Sequence, residues 1–590
     1  MKTLLVHPAD SPCSGPWAGE KWDLIVDLGK SSAFTRSAWQ EHLNCPILQL
    51  DTLWRGIQDF DSIRELLHTG RNQLLDEIGL DWWDLVSVLI YPELRDAVLL
   101  RRLAEQLDAA VELYATRQAW PASGVGLLLQ QPLRTFPDTS RSSHFRHYSD
   151  VLRRFSLDQL AQIFLDKYDL RYRWRSRFAA RRRGVPGPFV LLPSAYTNVS
   201  RMALAYASML PEQSFLLVAT RRSGTQFDPA PNVTCTSLAA YGGGLEPKAE
   251  YLELLGKWRN LQPSLKRLPE IDLLFRAGQM EAFPNHFRDG LTIRNAWRNV
   301  LSEERISAVM CGDDSNIYTR LPVLLARQQG IPTLDFHHGA LDGRFIMKKL
   351  SSDLYLAKGE MERDYLVRLC RLPAERVIVA GPPLPRSTPA HEHVEKENGK
   401  DESPLILFFS EPYEVGRLRT EDIYREVLTP LTSLARKFGR RLVVKLHPFE
   451  SRAERIKLVT KVLPPENAAL VDVLDRPFTP ELVARAWFAV TVESTVVIDC
   501  SLLGVPCFLC EWLNYSPYGY TSQYARFGVG RTLNSPEQLN EIPRLLGEPA
   551  MPLPEDCLLK PMDPGWLRSA IAIGCSHSEN VAGSKLAKLK

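Results

Sequence analysis

The sequence predicts an α/β protein whose parallel sheets are covered by helices. Short β-branched runs alternate with helical patterns along most of the 590 residues, as βαβ units require. Helix stops lead straight into strand starts, as in Gly330-Ile331-Pro332, where glycine ends a helix and proline cannot continue it. Two runs share a third trait: "VVKLHPFES" (443–451) and "FAVTVESTVVIDC" (488–500) both break from apolar strand into polar side chains. At this length roughly three domains of ~100–200 residues are expected.

Residues 1–185 form an α/β or mixed region with no assignable chemistry. "TLLVH" and "KWDLIVDLGKSS" look like strands, and "DAVLLRRLAEQLDAAVELYATR" (96–117) looks like one strong helix. Residues 186–385 read as a Rossmann-like unit. Its strands are "PFVLLPS", "FLLVAT", "VTCTSL", "ISAVMCGDD", "IPTLDFHHG", "SSDLYLAKG" and "RVIVAGPP", with helical segments between most of them. Residues 386–403, "RSTPAHEHVEKENGKDES", are polar and aperiodic, a flexible linker or loop. Residues 404–550 restart the alternation with "PLILFFS", "RLVVKLHP", "AALVDV", "FAVTVES" and "VPCFLCEW", about five strands, and a last helix near "SPEQLNEIPRLL". Residues 551–590 form a C-terminal extension with a frayed tail.

Composition narrows the class. Hydrophobic residues make up 45% and charged residues 24%, ordinary for a soluble globular chain. A net charge of +3 gives no global signal for nucleic acid. No stretch approaches the ~20 apolar residues that span a bilayer, and the opening "MKTLLVHPAD" is too short for a signal-peptide core. The cytoplasm is therefore expected. The ten cysteines are scattered. Cys507 and Cys510 form a C-x-x-C, but inside a strand and without a second pair, so packing is expected rather than redox or zinc chemistry. Asn232-Val233-Thr234 matches a glycosylation sequon, although nothing places the chain in a secretory path.

In open parallel sheets, ligands bind beyond the carboxyl ends of the strands. In the middle unit those ends carry Ser194, Asp313 with Asp314, and His337 with His338. In the C-terminal unit they carry Ser410 with Glu411, His447, and Glu493-Ser494-Thr495. Two such units suggest two Rossmann-like domains facing across a cleft, the GT-B arrangement.

Over residues 186–545 the motifs add a resemblance. "VTVESTVVIDCSLLGVPCF", "KLHP" and "IPTLDFHHGA" resemble, in order and placement, motifs of bacterial capsule and surface-polysaccharide glycosyltransferases, including Kdo- and sialyl-transfer families. "ESTVVIDC" is also similar to the S-S-x-x-x-D spacing of teichoic-acid polyol-phosphate transferases, through Ser494, Thr495 and Asp499. The resemblance implies a GT-B enzyme moving a sugar from a nucleotide-sugar donor to a surface-polysaccharide or lipid-linked acceptor. A polyol-phosphate transferase or a nucleotide-sugar 2-epimerase on the same scaffold is the alternative, and a non-catalytic nucleotide-sugar-binding protein is the rival of another class.

Each site residue has a physical rationale beside a plainer one. Ser494 and Thr495 open a helix whose unpaired N–H groups favour phosphate, or they are ordinary caps. Glu493 is a candidate for a ribose hydroxyl, with Ser410 and Glu411 beside the nucleotide. His447 is placed to donate to a leaving phosphate, and Pro448 holds it at the strand mouth. The base for an acceptor hydroxyl is sought in His338 first, which the resemblance implies, then Asp314 and Asp313, with one of His337 and His338 structural. Ser194 and Asn198, with Ser200, are candidates for acceptor-side contacts. No D-x-D with flanking apolar runs is present, so neither metal nor cofactor is expected. In "RYRWRSRF" (171–178), Arg171, Arg173, Arg175 and Arg177 alternate with mostly aromatic residues. A solvated basic face is the plain reading, docking to an anionic membrane the second, single-stranded RNA the third.

Overall fold

The computed structural model describes residues 1–107, 111–136, 187–195, 197–220, 230–242, 247–339, 341, 343–383, 404–476, 479–513, 519–549 and 553–576. The linker expected at 386–403 and the arginines of 171–178 lie outside them. The strands fall into three sheets. The first holds β1 (Lys2–Val6), β2 (Leu24–Asp27), β3 (Ile47–Gln49), β4 (Glu112–Ala115) and β5 (Arg134–Thr135). The second holds β6 (Phe189–Ser194), β7 (Phe215–Ala219), β8 (Val233–Ser237), β9 (Ile306–Cys311), β10 (Thr333–Phe336), β11 (Leu354–Ala357) and β12 (Val377–Val379). The third holds β13 (Leu405–Phe409), β14 (Leu442–Lys445), β15 (Val471–Leu474), β16 (Ala486–Thr491), β17 (Cys507–Cys510) and β18 (Arg531–Leu533).

All pairings among these strands are parallel. Counted within each sheet in chain order, the first reads 3-2-1-4-5, the second 3-2-1-4-5-6-7 and the third 3-2-1-4-5-6. Each is the doubly wound Rossmann order or an extension or truncation of it. The α/β class therefore holds throughout, and the N-terminal region is a third sheet of the same kind.

One apolar core reaches all three sheets and includes Leu407 and Leu509 of the C-terminal one. A continuous apolar core runs from the N-terminal sheet into the middle one, with Trp82 and Trp83 wholly buried against Phe287, Trp258 and Phe283. The contacts between the N-terminal and C-terminal sheets include ion pairs. Asp27 takes both terminal nitrogens of Arg419 (2.7 Å for the shorter), and Asp96 takes Arg417 (2.6 Å). Thr35 donates to Glu426 (2.7 Å).

Three element-level expectations are corrected. The helix read over 96–117 ends at Gln106, and "ELYA" is β4, paired with Lys2–Leu5 of β1. The alternation in that stretch suits a strand beside β1, so tertiary pairing overrides the helical run before it. The C-terminal sheet has six strands rather than about five. The expected last helix is a 3-10 turn at Pro536–Glu541 and one helical turn at Ile542–Leu545, divided where Pro543 lacks the N–H that would continue the ladder. A longer helix follows at Pro564–Ser576 and returns to the middle sheet. There Met562, Leu567, Ala570 and Ile571 share a core with Val190, Met310 and Leu356.

Cys507 and Cys510 are buried at the two ends of β17, on opposite faces. The Asn232 amide donates to the carbonyls of Ala207, Leu210 and Gln213 (2.9–3.2 Å), tying a helix end to a strand start.

Candidate functional site

In a 3-2-1-4 sheet the order reverses between the first and fourth strands, and the crevice opens beyond their carboxyl ends. In the C-terminal sheet those strands are β13 and β16, followed by Ser410-Glu411 and Val492-Glu493. His447 follows β14, the neighbour of β13. His447, Glu411, Glu493, Ser494 and Thr495 therefore line one edge.

His447 is half-buried and its ring is fixed by local hydrogen bonds. Its Nδ1 accepts the Phe449 N–H (3.2 Å), and the His447 backbone N–H donates to Glu450 Oε2 (2.8 Å). An amide N–H can only donate, so Nδ1 is the acceptor and the proton sits on Nε2. Burial, then Lys445, lowers the His447 pKa, which keeps the ring neutral. The result is an imidazole that presents an N–H at the strand mouth. Glu450 Oε1 takes the Ser410 hydroxyl (2.8 Å) and Arg455 Nε (2.8 Å).

Ser410 was expected to touch the nucleotide. It is buried and its hydroxyl is bound to Glu450 and Tyr424, so it braces His447's turn instead. Glu411 is buried too. Its Oε1 accepts from the Thr491 hydroxyl (3.1 Å) and the Glu493 N–H (3.0 Å), which shapes the turn out of β16. Ser494 and Thr495 are half-buried. Ser494 Oγ accepts the Val496 N–H (3.4 Å), whereas Thr495 makes no side-chain capping bond to the short helix Val496–Leu502.

On the middle sheet, β10 delivers the two histidines. His337 is buried, with Nδ1 accepting the Gly339 N–H (3.2 Å) and its ring edge-on to Phe345. His338 is half-buried, and its Nδ1 lies 3.4 Å from the Gly312 carbonyl. A carbonyl can only accept, so here the proton sits on Nδ1 and Nε2 is the basic atom. Burial lowers the His338 pKa and Asp313 partly offsets this, leaving the ring neutral near pH 7. Asp313 accepts the Ser315 N–H (2.8 Å) and turns the chain into the next helix.

Asp314 is corrected as a candidate base. It is fully buried in an ion cluster, paired with Lys348 and 3.8 Å from Arg320, which in turn reaches Asp84 of the N-terminal region (2.8 Å). An acid so enclosed is closed off from an acceptor hydroxyl. Ser194 is likewise wholly buried, its hydroxyl against that of Ser200, which removes it from any surface an acceptor could reach. Asn198 is exposed in the first turn of the helix Thr197–Ala207.

The middle and C-terminal sheets meet near these ends. The Tyr520 N–H donates to the Leu341 carbonyl (2.6 Å), and Arg526 pairs with Asp364 (2.6 Å). Asp499, on the helix after Thr495, has its pKa pushed up to about 6 by burial, against the pull of Lys358 and Arg201 from the middle sheet. Lys358 donates to the carbonyls of His337 (3.0 Å) and Gly339 (2.8 Å), so it also fixes the His-Gly turn. Sequence reasoning passed over Lys358, although "LYLAKG" places it at a strand end, where the same census would have found it. Arg201 and Glu450 carried no comparable signal.

No family model and no curated protein sequence matches the chain. Among solved structures it is similar to the UDP-GlcNAc 2-epimerase from Methanocaldococcus jannaschii, at 11% identity and a TM-score of 0.42, over 65% of this chain and 99% of that one. It is similar to a glycotransferase of kitacinnamycin at 13% identity and a TM-score of 0.36, over 67% and 96%. The wall teichoic acid polymerase TagF is a third, at 10% identity and a TM-score of 0.37, over 74% and 98%. At these identities and scores no activity passes from those proteins to this chain.

Proposed function

We propose that the chain is a metal-independent GT-B glycosyltransferase that moves a sugar from a nucleotide-sugar donor to a glycan or lipid-linked acceptor across a cleft between its middle and C-terminal sheets. The observation that carries this is that the Nδ1 atoms of two strand-end histidines have opposite partners, an amide N–H at His447 and a carbonyl at His338. His447 presents Nε2–H, suited to a leaving phosphate whose charge grows as the sugar–phosphate bond breaks. His338 presents a basic Nε2, suited to take the proton of an attacking hydroxyl.

The nucleotide would lie on the C-terminal edge, its phosphates at the Ser494 and Thr495 hydroxyls and its ribose at Glu493. The acceptor would enter over Asn198, with buried Asp313 behind it and His337 holding its neighbour's ring at 4.7 Å. Ser410 and Glu411 act behind this surface. Any contact of the enzyme with an anionic leaflet through Arg171, Arg173, Arg175 and Arg177 is part of the same proposal.

A thermal-shift panel of CMP, CDP, UDP, GDP and their sugars tests it. One base class should stabilise the chain by mass action, and product analysis with that donor should show transfer that needs an acceptor. A panel with no stabiliser would sink the proposal; product formed without acceptor would replace transfer by epimerisation or hydrolysis.

A further inference from the structure

The register of the middle sheet brings a cation to the His-Gly turn. β10 and β11 run side by side, with Phe336 level with Leu356. Two residues further on, His338 leaves one strand end and Lys358 leaves the other. The Lys358 ammonium donates to the His337 carbonyl (3.0 Å) and to the Gly339 carbonyl (2.8 Å). Those carbonyls flank residue 338, so one group holds the backbone on both sides of the histidine.

An ammonium has three N–H donors. Two go to these carbonyls, and Glu362 stands 3.5 Å from the same nitrogen. Glu362 is 1% exposed, and its other oxygen takes the Lys358 backbone N–H (2.7 Å). The acid thus holds the lysine at backbone and side chain alike, from the short helix Glu360–Asp364. The C-terminal unit grips that helix in turn, through Gln523 on the Met361 carbonyl (3.4 Å) and Arg526 on Asp364 (2.6 Å). It also holds the far side of the turn, where the Tyr520 N–H meets the Leu341 carbonyl. A lysine so engaged serves the chain rather than a ligand.

What this clamp secures has little slack. His338 Nδ1 meets the Gly312 carbonyl at 3.4 Å, long for a hydrogen bond, and that contact leaves Nε2 as the basic atom. A turn displaced by a few tenths of an ångström would lose it. We propose that Lys358 is a positioning residue for proton transfer, holding the His-Gly turn so that the His338 ring keeps Gly312 and offers Nε2 to the attacking hydroxyl. The role rests on His338 being the base.

The test is a cycle of Lys358→Met and His338→Gln in the full chain. With the donor that the panel selects and its acceptor, Lys358→Met should lower kcat ~10–100-fold and leave donor affinity unchanged. In the His338→Gln background the same substitution should cost nothing further, because a positioning residue acts only through its partner. Unchanged kcat, or losses that multiply, would overturn the proposal. So would a loss of donor affinity, which would make Lys358 a ligand contact. If Lys358→Met fails to fold because Glu362 is left buried without its cation, Lys358→Met paired with Glu362→Gln takes its place. Without ligand, amide exchange in the peptide carrying His337–Gly339 should quicken roughly tenfold in the variant, and an unchanged rate would refute the clamp. A wild type with no transfer would refute the function instead, and the exchange rates would still decide whether Lys358 holds the turn.

Discussion

The Nδ1 atoms of His338 and His447 have opposite partners, a carbonyl and an amide, so in the neutral rings Nε2 is the acceptor on His338 and the N–H on His447. His338→Gln should lower kcat by ~10²–10⁴ while leaving nucleotide affinity unchanged. Because burial lowers the His338 pKa, the acid limb of kcat/KM should lie below the ordinary imidazole value of about 6.5 and vanish in that variant. Asp499 makes a separate prediction. Its folded pKa of about 6 exceeds the unfolded value, so stability should fall as pH rises from about 4 to about 6. Asp499→Asn should remove that fall and raise stability at pH 7 by on the order of 1–2 kcal/mol, as an unfolding-midpoint series would show. The strand-end histidines were legible because Pro448 and Gly339 break the strands where the rings stand. The difference between Asp313 and Asp314 was not. Both are buried, but it is Asp314 that meets Lys348 and Arg320, which tertiary packing brings to it from other parts of the middle unit.

At the scale of elements, the long helix-like run at 96–117 hid β4 because its first half is a strong amphipathic helix and the second half is short. What makes "ELYA" a strand is β1, more than a hundred residues earlier in the chain, and no local window contains it. The helix Pro564–Ser576 was missed for a related reason: its apolar residues complete the core of the middle sheet rather than of its own unit. Its docking depends on close backbone approach, since a Cβ on Gly359 would stand 2.3 Å from the Cys557 carbonyl. Gly359→Ala should therefore destabilise the chain by ~1–3 kcal/mol and speed protease cleavage within 553–576. An unchanged midpoint and digestion pattern would show that the contact is dispensable.

For the whole molecule, one strand order used three times is why reasoning from a single sequence could place the candidate residues at strand ends. In the first sheet β1 and β2 are legible in the sequence, but β3, β4 and β5 are only two to four residues long and widely spaced, too brief to stand out by pattern. Its attachment to the C-terminal sheet through the Asp27–Arg419 pair, nearly devoid of solvent contact, makes Asp27→Asn a test of how the domains cohere. Breaking one partner of a buried pair costs about 3–5 kcal/mol. Hydrogen exchange across 411–419 should rise as that turn loosens, while the aromatic junction around Trp82 and Trp83 stays protected.

The stretch around Pro561 joins the edge of the middle sheet at Gly381 after the chain has built the whole C-terminal sheet. Polypeptide thus passes between those two bodies once outward and once back, like a door hung on a pair of straps. The homeward crossing is held by backbone hydrogen bonds, from the Lys560 N–H to the Lys358 carbonyl (2.8 Å) and from the Met562 N–H to the Gly381 carbonyl (2.9 Å), so the middle sheet keeps a grip on the chain that leaves the C-terminal one.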